Sequence, residues 1–342
     1  MRDAFYELKD GTLKFNPNIT ILSTQYLPPT SIISKVNKVI LPNSLISLTG
    51  FMITDFPNLE SVFINSDNPR FQTIDGVLFN KDKTSLRLYP QNKKDEYYEV
   101  PETVTIIEEA AFQYATHLKT IKLPDALTEI NTAAFFRCSS LLEIKIPNGV
   151  SSIQENVFYG CDMLESVILP DEVEYIGKHA FEDCVSLRSF LFPEKLIHID
   201  KSAFQCCESL DKIILPENVQ IISEDAFAYC TALKKIKIPD NVHSISERAF
   251  ACCDSLESAI LGRDIGYIPE HLFCNCNKLK KVFFGDNIHK IEDSAFDNLD
   301  KLRIGYTKNP VIVDWAKRNN VRFINSEVSR FLDDISSEDV SL

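Results

Sequence analysis

Glycine and tryptophan are scarce in this chain of 342 residues, which has 10 glycines, one tryptophan and 3 methionines. So few glycines, beside only 16 prolines, exclude a collagen-like or Gly/Ser-linker architecture. Positive charge is also short: 36 Lys and Arg stand against 49 Asp and Glu, a formal net charge of −13. A nucleic-acid binder needs a basic face to displace counterions, so that class is excluded. No run approaches the ~18 apolar residues of a membrane span, so no membrane insertion is expected. The opening MRDAFYELKDGTLKF lacks a basic region followed by an apolar stretch and a small-residue cleavage site. The chain as it stands is therefore expected in the cytoplasm, with a cell-surface or secreted protein as the alternative if a leader has been removed.

What the chain does have is a globular composition, 44% apolar and 25% charged, and ten cysteines. It also has a ruler. Pro101, Pro124, Pro147, Pro170, Pro193, Pro216 and Pro239 follow one another at steps of 23 residues, and Gly262 and Gly285 fill the next two slots. The same step links Phe112, Phe135, Phe158, Phe181, Phe204, Phe227, Phe250, Phe273 and Phe296. It also links a leucine column from Leu118 to Leu302 and an isoleucine column from Ile107 to Ile291. Residues 101–307 are thus nine units of 23 reading P-x-x-V-x-x-I-x-x-x-A-F-x-x-C-x-x-L-x-x-I-x-L. A unit this short cannot bury its own apolar face, whereas stacked units bury each other's, which is the logic of a solenoid.

Within a unit the tail x-x-I-x-L alternates as a strand does, and the following proline, lacking an N–H, ends it. I-x-x-x-A-F predicts one helical or 3₁₀ turn on the opposite side. Strands of successive units are expected to pair in parallel at ~4.8 Å per rung. The register extends back to a repeat at 42–64 (Leu45, Leu48, Met52, Ile53, Phe56, Leu59, Val62, Ile64). An expanded repeat at 65–100 carries a hairpin, Val77–Phe79 and Leu86–Leu88 around Lys81–Thr84. Residues 1–41 keep only a final strand (Val36, Val39, Leu41) and read as an N-terminal cap. Residues 308–326, with a short helix Ile312–Arg318 and a strand Val321–Ile324, read as a C-terminal cap. The stretch 327–342, with five acids and one arginine, reads as a disordered tail.

The LP-x-x-V-x-x-I-x-x-x-AF-x-x-C-x-x-L units, such as Leu123 to Leu141, resemble the BspA-like class of leucine-rich repeats. So do the expanded unit Asp75–Pro90 and the ending DWAKRNNVRFI, and the likeness covers about residues 36–325. The resemblance implies a repeat solenoid (leucine-rich repeat), curved and right-handed. A parallel concave sheet would face short helical or 3₁₀ turns on the convex side. Many members are surface or secreted proteins binding host matrix, other bacteria or glycoproteins, and the family shares no catalytic residues.

Seven cysteines lie on the ruler: Cys138, Cys161, Cys184, Cys207, Cys230, Cys253 and Cys276. A slot shared by stacked units, and filled elsewhere by Ala115 or Leu299, is a packing slot in which cysteine serves as a small hydrophobe and weak donor. Equivalent side chains point the same way, so their Cβ atoms stay about a rung apart, beyond the ~3.5–4.5 Å a bridge prefers. The off-column Cys206, Cys252 and Cys274 are expected to be partly exposed, and many unpaired thiols suit a reducing compartment. No four ligands converge for zinc, no nucleotide, protease or hydrolase motif is present, and the six histidines fall at different repeat offsets. The chain is read as no enzyme, with no catalytic, cofactor or metal site.

The remaining candidate is the strand's outward face. The slot between the inward Ile and Leu holds Lys122 and Lys145, then Ile168, Leu191, Ile214, Lys237, Ile260, Phe283 and Tyr306. An exposed apolar stripe marks an interaction site, although β-branched residues there could equally serve only the ladder. Asp125, Asp171, Glu194, Glu217, Asp240 and Asp286 are expected to form an acidic edge beside it. The reading is a monomeric, non-enzymatic scaffold that binds a protein or peptide on the concave sheet, with a surface adhesin as the alternative.

Overall fold

The structure is a computed structural model that describes residues 5–48 and 56–324. The chain divides into two compact units, residues 1–164 and 165–342, built from the same kind of rung. Each rung gives three residues to a main parallel ladder. In the first unit Tyr97–Glu99, Thr120–Lys122 and Glu143–Lys145 pair in this way, with Tyr98 opposite Ile121 and Thr120 opposite Glu143. In the second unit Lys235–Lys237, Ser258–Ile260 and Lys281–Phe283 do so, with Ile236, Ala259 and Val282 in step. The isoleucine column feeds a second, two-residue ladder. Ile106–Ile107 pairs with Glu129–Ile130 in the first unit, and Tyr175–Ile176, His198–Ile199, Ile221–Ile222 and Ser244–Ile245 follow in the second.

Opposite the main strand the sequence predicts helical or 3₁₀ turns. A 3₁₀ helix stands there at Asp293–Ala295, but most rungs carry a different device. Two residues in each turn adopt the left-handed conformation, for example Ala133 (φ 56°) and Arg137 (φ 55°). The alternation sends every second amide out of the turn toward the next rung. Ala133, Phe135 and Arg137 donate to the carbonyls of Glu155, Val157 and Tyr159 at 2.9, 2.9 and 2.6 Å. Ala134, Phe136 and Cys138 donate within their own turn, to Asn131, Ala133 and Phe135. A helical turn would keep all its amides for itself; this one divides them and makes a third ladder.

The phenylalanine column runs inside these ladders as a file of offset rings. Centroids are 5.0 and 5.4 Å apart from Phe112 through Phe135 to Phe158. They are 5.1, 5.3, 5.3, 5.7 and 5.5 Å apart from Phe181 to Phe296. Each ring is buried, so the file contributes about 1.5–3 kcal/mol per side chain from apolar burial, plus the preference of aromatic pairs for offset stacking.

The ends close off this core. Tyr6–Lys9 and Thr12–Phe15 form an antiparallel hairpin, and Thr12–Phe15 then begins a parallel ladder continued by Lys38–Ile40 and Ser61–Phe63. Val36, Val39 and Leu41 are buried there, as are Leu45, Phe56, Leu59, Val62 and Ile64 of the first repeat. Met52 and Ile53 of that repeat, and the stretch 327–342, lie outside the described residues. The expanded repeat is a three-stranded meander rather than a lone hairpin. Phe71–Ile74 pairs with Val77–Asn80 across an Asp75–Gly76 turn, and Val77–Asn80 pairs with Ser85–Leu88. Both turn residues have positive φ (48° and 81°), the type I′ geometry that suits the twist of a two-residue hairpin. At the other end the helix Pro310–Arg318 is capped by Asn309, whose side chain accepts from Val311 at 2.9 Å. The helix lays the buried Trp315 ring 5.5 Å from Phe296.

The main ladder of the second unit has one gap: the segment 211–216 forms no strand. The preceding rung is the one that places Phe at both inward strand positions, Phe190 and Phe192. Their rings stand 4.8 and 5.3 Å from Phe204, and Phe192 reaches 6.2 Å from Phe227, two rungs on. Two rings where neighbouring rungs hold aliphatic chains occupy volume that the next strand would otherwise take up, and an interior packed to crystal density has no slack to absorb it.

Candidate functional site

The outward slot of the second unit is where the sequence places a binding stripe. Val167 opposes Phe190 in the parallel ladder, so the next residues, Ile168 and Leu191, stand beside one another on the outer face. Ile168, Leu191 and Ile214 are 57%, 66% and 56% exposed. Ile168 and Leu191 stand side by side on paired strands, and Ile214 is as open on the following rung, within the segment that forms no strand, so three consecutive rungs each leave an aliphatic side chain exposed. The equivalent slot of the first unit is ionic. Lys122 is exposed and binds Glu99 at 2.6 Å and Glu102 at 3.7 Å. That pair holds the Glu99 carboxyl below its ordinary range, chiefly through the hydrogen bond from Lys122.

The other predicted stripe residues are placed differently. Lys237 is half-buried and its ammonium sits 3.0 Å from Glu217, so it interrupts the strip with a neutralised charge. Ile260 and Phe283, expected to be exposed, are only 8% and 3% exposed. Tyr306 is exposed, yet it does not continue the column. The last repeat is one residue short in register: Lys281 pairs with Arg303 and Val282 with Ile304, so Gly305 stands opposite Phe283. A Cβ on Gly305 would lie 2.5 Å from the Phe283 ring, so the ring can lie flat over that rung because glycine is there.

The acidic edge is also tempered. Asp240 of that edge pairs with Arg263 on the neighbouring rung at 2.7 Å and Glu217 with Lys237 at 3.0 Å, while Glu172, next to Asp171, pairs across rungs with Lys195 at 2.6 Å. Cross-rung pairing turns part of the expected negative rim into short ionic ladders. Exposed pairs of this kind contribute little stability each.

The cysteine column is a wall of donors. Cys138, Cys161, Cys207, Cys230, Cys253 and Cys276 each direct Sγ at the carbonyl of the phenylalanine 26 residues earlier, at 3.1 to 3.4 Å. All six are buried, as is Cys184. Burial pushes the Cys138 thiol up to about 12 and raises Cys207 and Cys230 far above the ordinary thiol range. A thiol held protonated is a weak nucleophile, so these are not reactive cysteines. Cys206, Cys252 and Cys274 are half-buried, as expected.

A shallow depression of about 380 Å³ lies beside Tyr267, lined by Glu224, Ile245, Ser246, Glu247 and Pro269. Its carboxylate Glu224 accepts from Lys201 at 2.8 Å and also pairs with Arg248. These cations, Lys201 foremost, hold it below the usual carboxylate range. Such a group stays ionised at neutral pH and offers no proton for acid–base chemistry. Among the described residues no three His, Cys, Asp or Glu side chains gather to hold a metal, and no helix is long and apolar enough to cross a membrane.

Comparison with known proteins agrees with this architecture. The model of the BspA type Leucine rich repeat region (6 copies) matches residues 87–210 and 197–312. No curated protein matches the chain. Among solved structures, a leucine-rich repeat protein from Eubacterium ventriosum is similar at 26% identity and a TM-score of 0.59, over 69% of this chain and 63% of that one. The chain therefore spans under two thirds of that protein. A leucine-rich repeat protein from Bacteroides ovatus shares the fold at 24% identity and a TM-score of 0.52, over 69% of this chain and 82% of that one. With stacked rungs, phenylalanine file and cysteine wall all in register, the chain belongs to the BspA-type leucine-rich repeat family.

Proposed function

We propose that this protein is a non-enzymatic, monomeric binding scaffold that captures a protein or peptide segment on the outer face of its main ladder. The observation that carries this reading is the open strip Ile168–Leu191–Ile214. Burying such side chains against a partner is favourable by about 25 cal/mol per Å², and the slots around the strip are polar or ion-paired, which supplies a rim. The buried thiols, each donating a hydrogen to a carbonyl, fit a reducing compartment, so the cytoplasm is the proposed location.

The test is a displayed peptide library panned on the wild-type chain and on Ile168→Asp/Leu191→Asp/Ile214→Asp. These are surface positions, so thermal unfolding should be nearly unchanged. Wild type should enrich peptides with spaced apolar anchors, and the variant should lose that enrichment. Equal enrichment by both would reject the strip as the site. Fractionation of the native cell with antibody detection tests the location, and recovery in the membrane or medium would reject it.

A further inference from the structure

We propose that Cys252 and Cys274 form a dithiol that a peroxide oxidises to a disulfide and thiols reduce again, a reversible staple between two neighbouring rungs of the second unit. The first observation is a diagonal in the third ladder. The residue whose amide leaves one turn, and the residue 22 positions on whose carbonyl receives it, also meet through their side chains. In the first unit Tyr114 donates to the Phe136 carbonyl at 2.8 Å, and the two rings stand 5.7 Å apart. Arg137 donates to the Tyr159 carbonyl at 2.6 Å, and its guanidinium lies 5.5 Å from that ring. In the second unit the same diagonal joins Cys252 to Cys274, whose main chains are linked at 2.8 Å. With ordinary bond lengths on either side of that hydrogen bond, the two Cα atoms lie within ~6.7 Å, inside the range a disulfide spans. The column cysteines differ, because equivalents in one column stand side by side with parallel side chains, whereas Cys252 and Cys274 come from adjacent columns.

The second observation is access. Cys252 and Cys274 are half-buried, while Cys253 and Cys276 beside them are buried and direct their thiols at the Phe227 and Phe250 carbonyls. A small oxidant therefore meets the outer pair first. Cys252 Sγ is held by Asn275 Nδ2 at 3.6 Å and by hydrogen-bond contact with the Tyr229 hydroxyl. Burial pushes the Cys274 thiol up to about 11, so Cys274 keeps its proton and Cys252 attacks first.

The chemistry balances in two steps. The Cys252 sulfur attacks one peroxide oxygen, the O–O bond breaks, and Cys252 becomes a sulfenic acid as one water leaves. The Cys274 sulfur then attacks the Cys252 sulfur, the S–O bond breaks, and a second water carries away the oxygen. Two thiols have lost two electrons and two protons, and one peroxide has become two waters. Glutathione reverses the bond by thiol–disulfide exchange. The bridge closes a ring of 23 residues, which removes freedom from the unfolded chain and adds a covalent tie to the three ladders.

The test treats the full reduced chain with a slight molar excess of hydrogen peroxide, blocks the remaining thiols in denaturant and maps tryptic peptides without reduction. The expected product, in chains that stay monomeric on a non-reducing gel, joins residues 249–263 to 264–278 with two hydrogens lost. Fragmentation should place the bridge between Cys252 and Cys274 rather than at Cys253 or Cys276, which share those peptides. Glutathione should undo it, and the oxidised chain should unfold at higher urea than the reduced one. Cys252→Ser and Cys274→Ser should each abolish both the product and the rise in midpoint. A second probe needs no oxidant: equimolar phenylarsine oxide, a ligand for paired thiols, should protect Cys252 and Cys274 from alkylation in wild type and protect neither remaining thiol in the single variants. A bridge through Cys206, Cys253 or Cys276 overturns the proposal. So does a cross-link between chains, a sulfinic acid at Cys252 without a bridge, the absence of any product, or arsenical protection that survives either variant.

Discussion

The cysteine wall predicts an alkaline weakness that can be worked out in advance. Burial raises the Cys207 and Cys230 thiols far above their ordinary value, and both lie in the second unit. In the unfolded chain each ionises near pH ~8.5. The raised folded value means the native state holds more protons than the unfolded state above that pH, so stability falls as pH rises. The contribution is fully present below the unfolded value and is lost progressively up to the folded one. Between pH 7.5 and 10 the loss is about 2 kcal/mol per thiol, hence about 4 kcal/mol for the pair, a large share of a typical domain's stability. The assay is urea unfolding under reducing conditions at both pH values, followed by the fluorescence of Trp315, the chain's single tryptophan and a residue of the same unit. Cys207→Ala/Cys230→Ala should destabilise at pH 7.5 through lost packing and the loss of the Sγ hydrogen bonds to the Phe181 and Phe204 carbonyls, which keep only the bonds from the Cys184 and Cys207 amides. Its further loss on going to pH 10 should be smaller than that of wild type by the same ~4 kcal/mol. Tyrosine ionisation is common to both proteins and cancels. Equal pH losses in the two would refute the reasoning.

Phe204 stacks between Phe181 and Phe227 and also meets Phe190 and Phe192, so Phe204→Ala should cost about 3–5 kcal/mol in chemical denaturation; a loss below 1 kcal/mol would show that the file collapses freely. Ala133 sits at φ 56°, so Ala133→Gly should be neutral or stabilising by up to about 1 kcal/mol, whereas the same exchange in ordinary helix costs that much; calorimetry decides the sign. Native-state alkylation with iodoacetamide at pH 8, its labels counted by mass spectrometry of the peptides, should modify only Cys206, Cys252 and Cys274 and spare the seven column thiols until the chain unfolds. Cys206 and Cys274 should react slowly, because burial pushes both thiols up to about 11.

Much of this architecture was legible because repetition multiplies weak signals. One phenylalanine says little, but nine at a fixed step specify a stacked core, and the isoleucine and cysteine columns then fall into place. Signals carried by the backbone were harder to see. The left-handed turn positions hold Ala, Asn, His, Ser, Asp and Arg in successive rungs, because rung-to-rung hydrogen bonds, rather than a glycine, secure the conformation. Asp10–Gly11 and Asp75–Gly76, all with positive φ, are turn dipeptides that the apolar columns pass over, and the second marks a third strand that the apolar pattern alone does not separate. The alternation of the strand places Ile168, Leu191 and Ile214 in a slot that is exposed. It does not reveal the burial of Ile260 and Phe283, and the one-residue register slip that sets Gly305 opposite Phe283 has no local sequence marker.

The three ladders join each rung only to the next, so a rung is also a mechanical unit. Pulled from its C-terminal end, such a stack yields mostly neighbour-to-neighbour contacts, the approach of Phe192 to Phe227 two rungs on being an exception. Rungs should peel away singly, each releasing its 23 residues. At ~3.4 Å per extended residue, less the ~4.8 Å already spanned in the stack, each step lengthens the chain by ~70–75 Å. In a force trace, the protein would behave as a ratcheted tether paying out line in equal increments, not as a body that yields in one event.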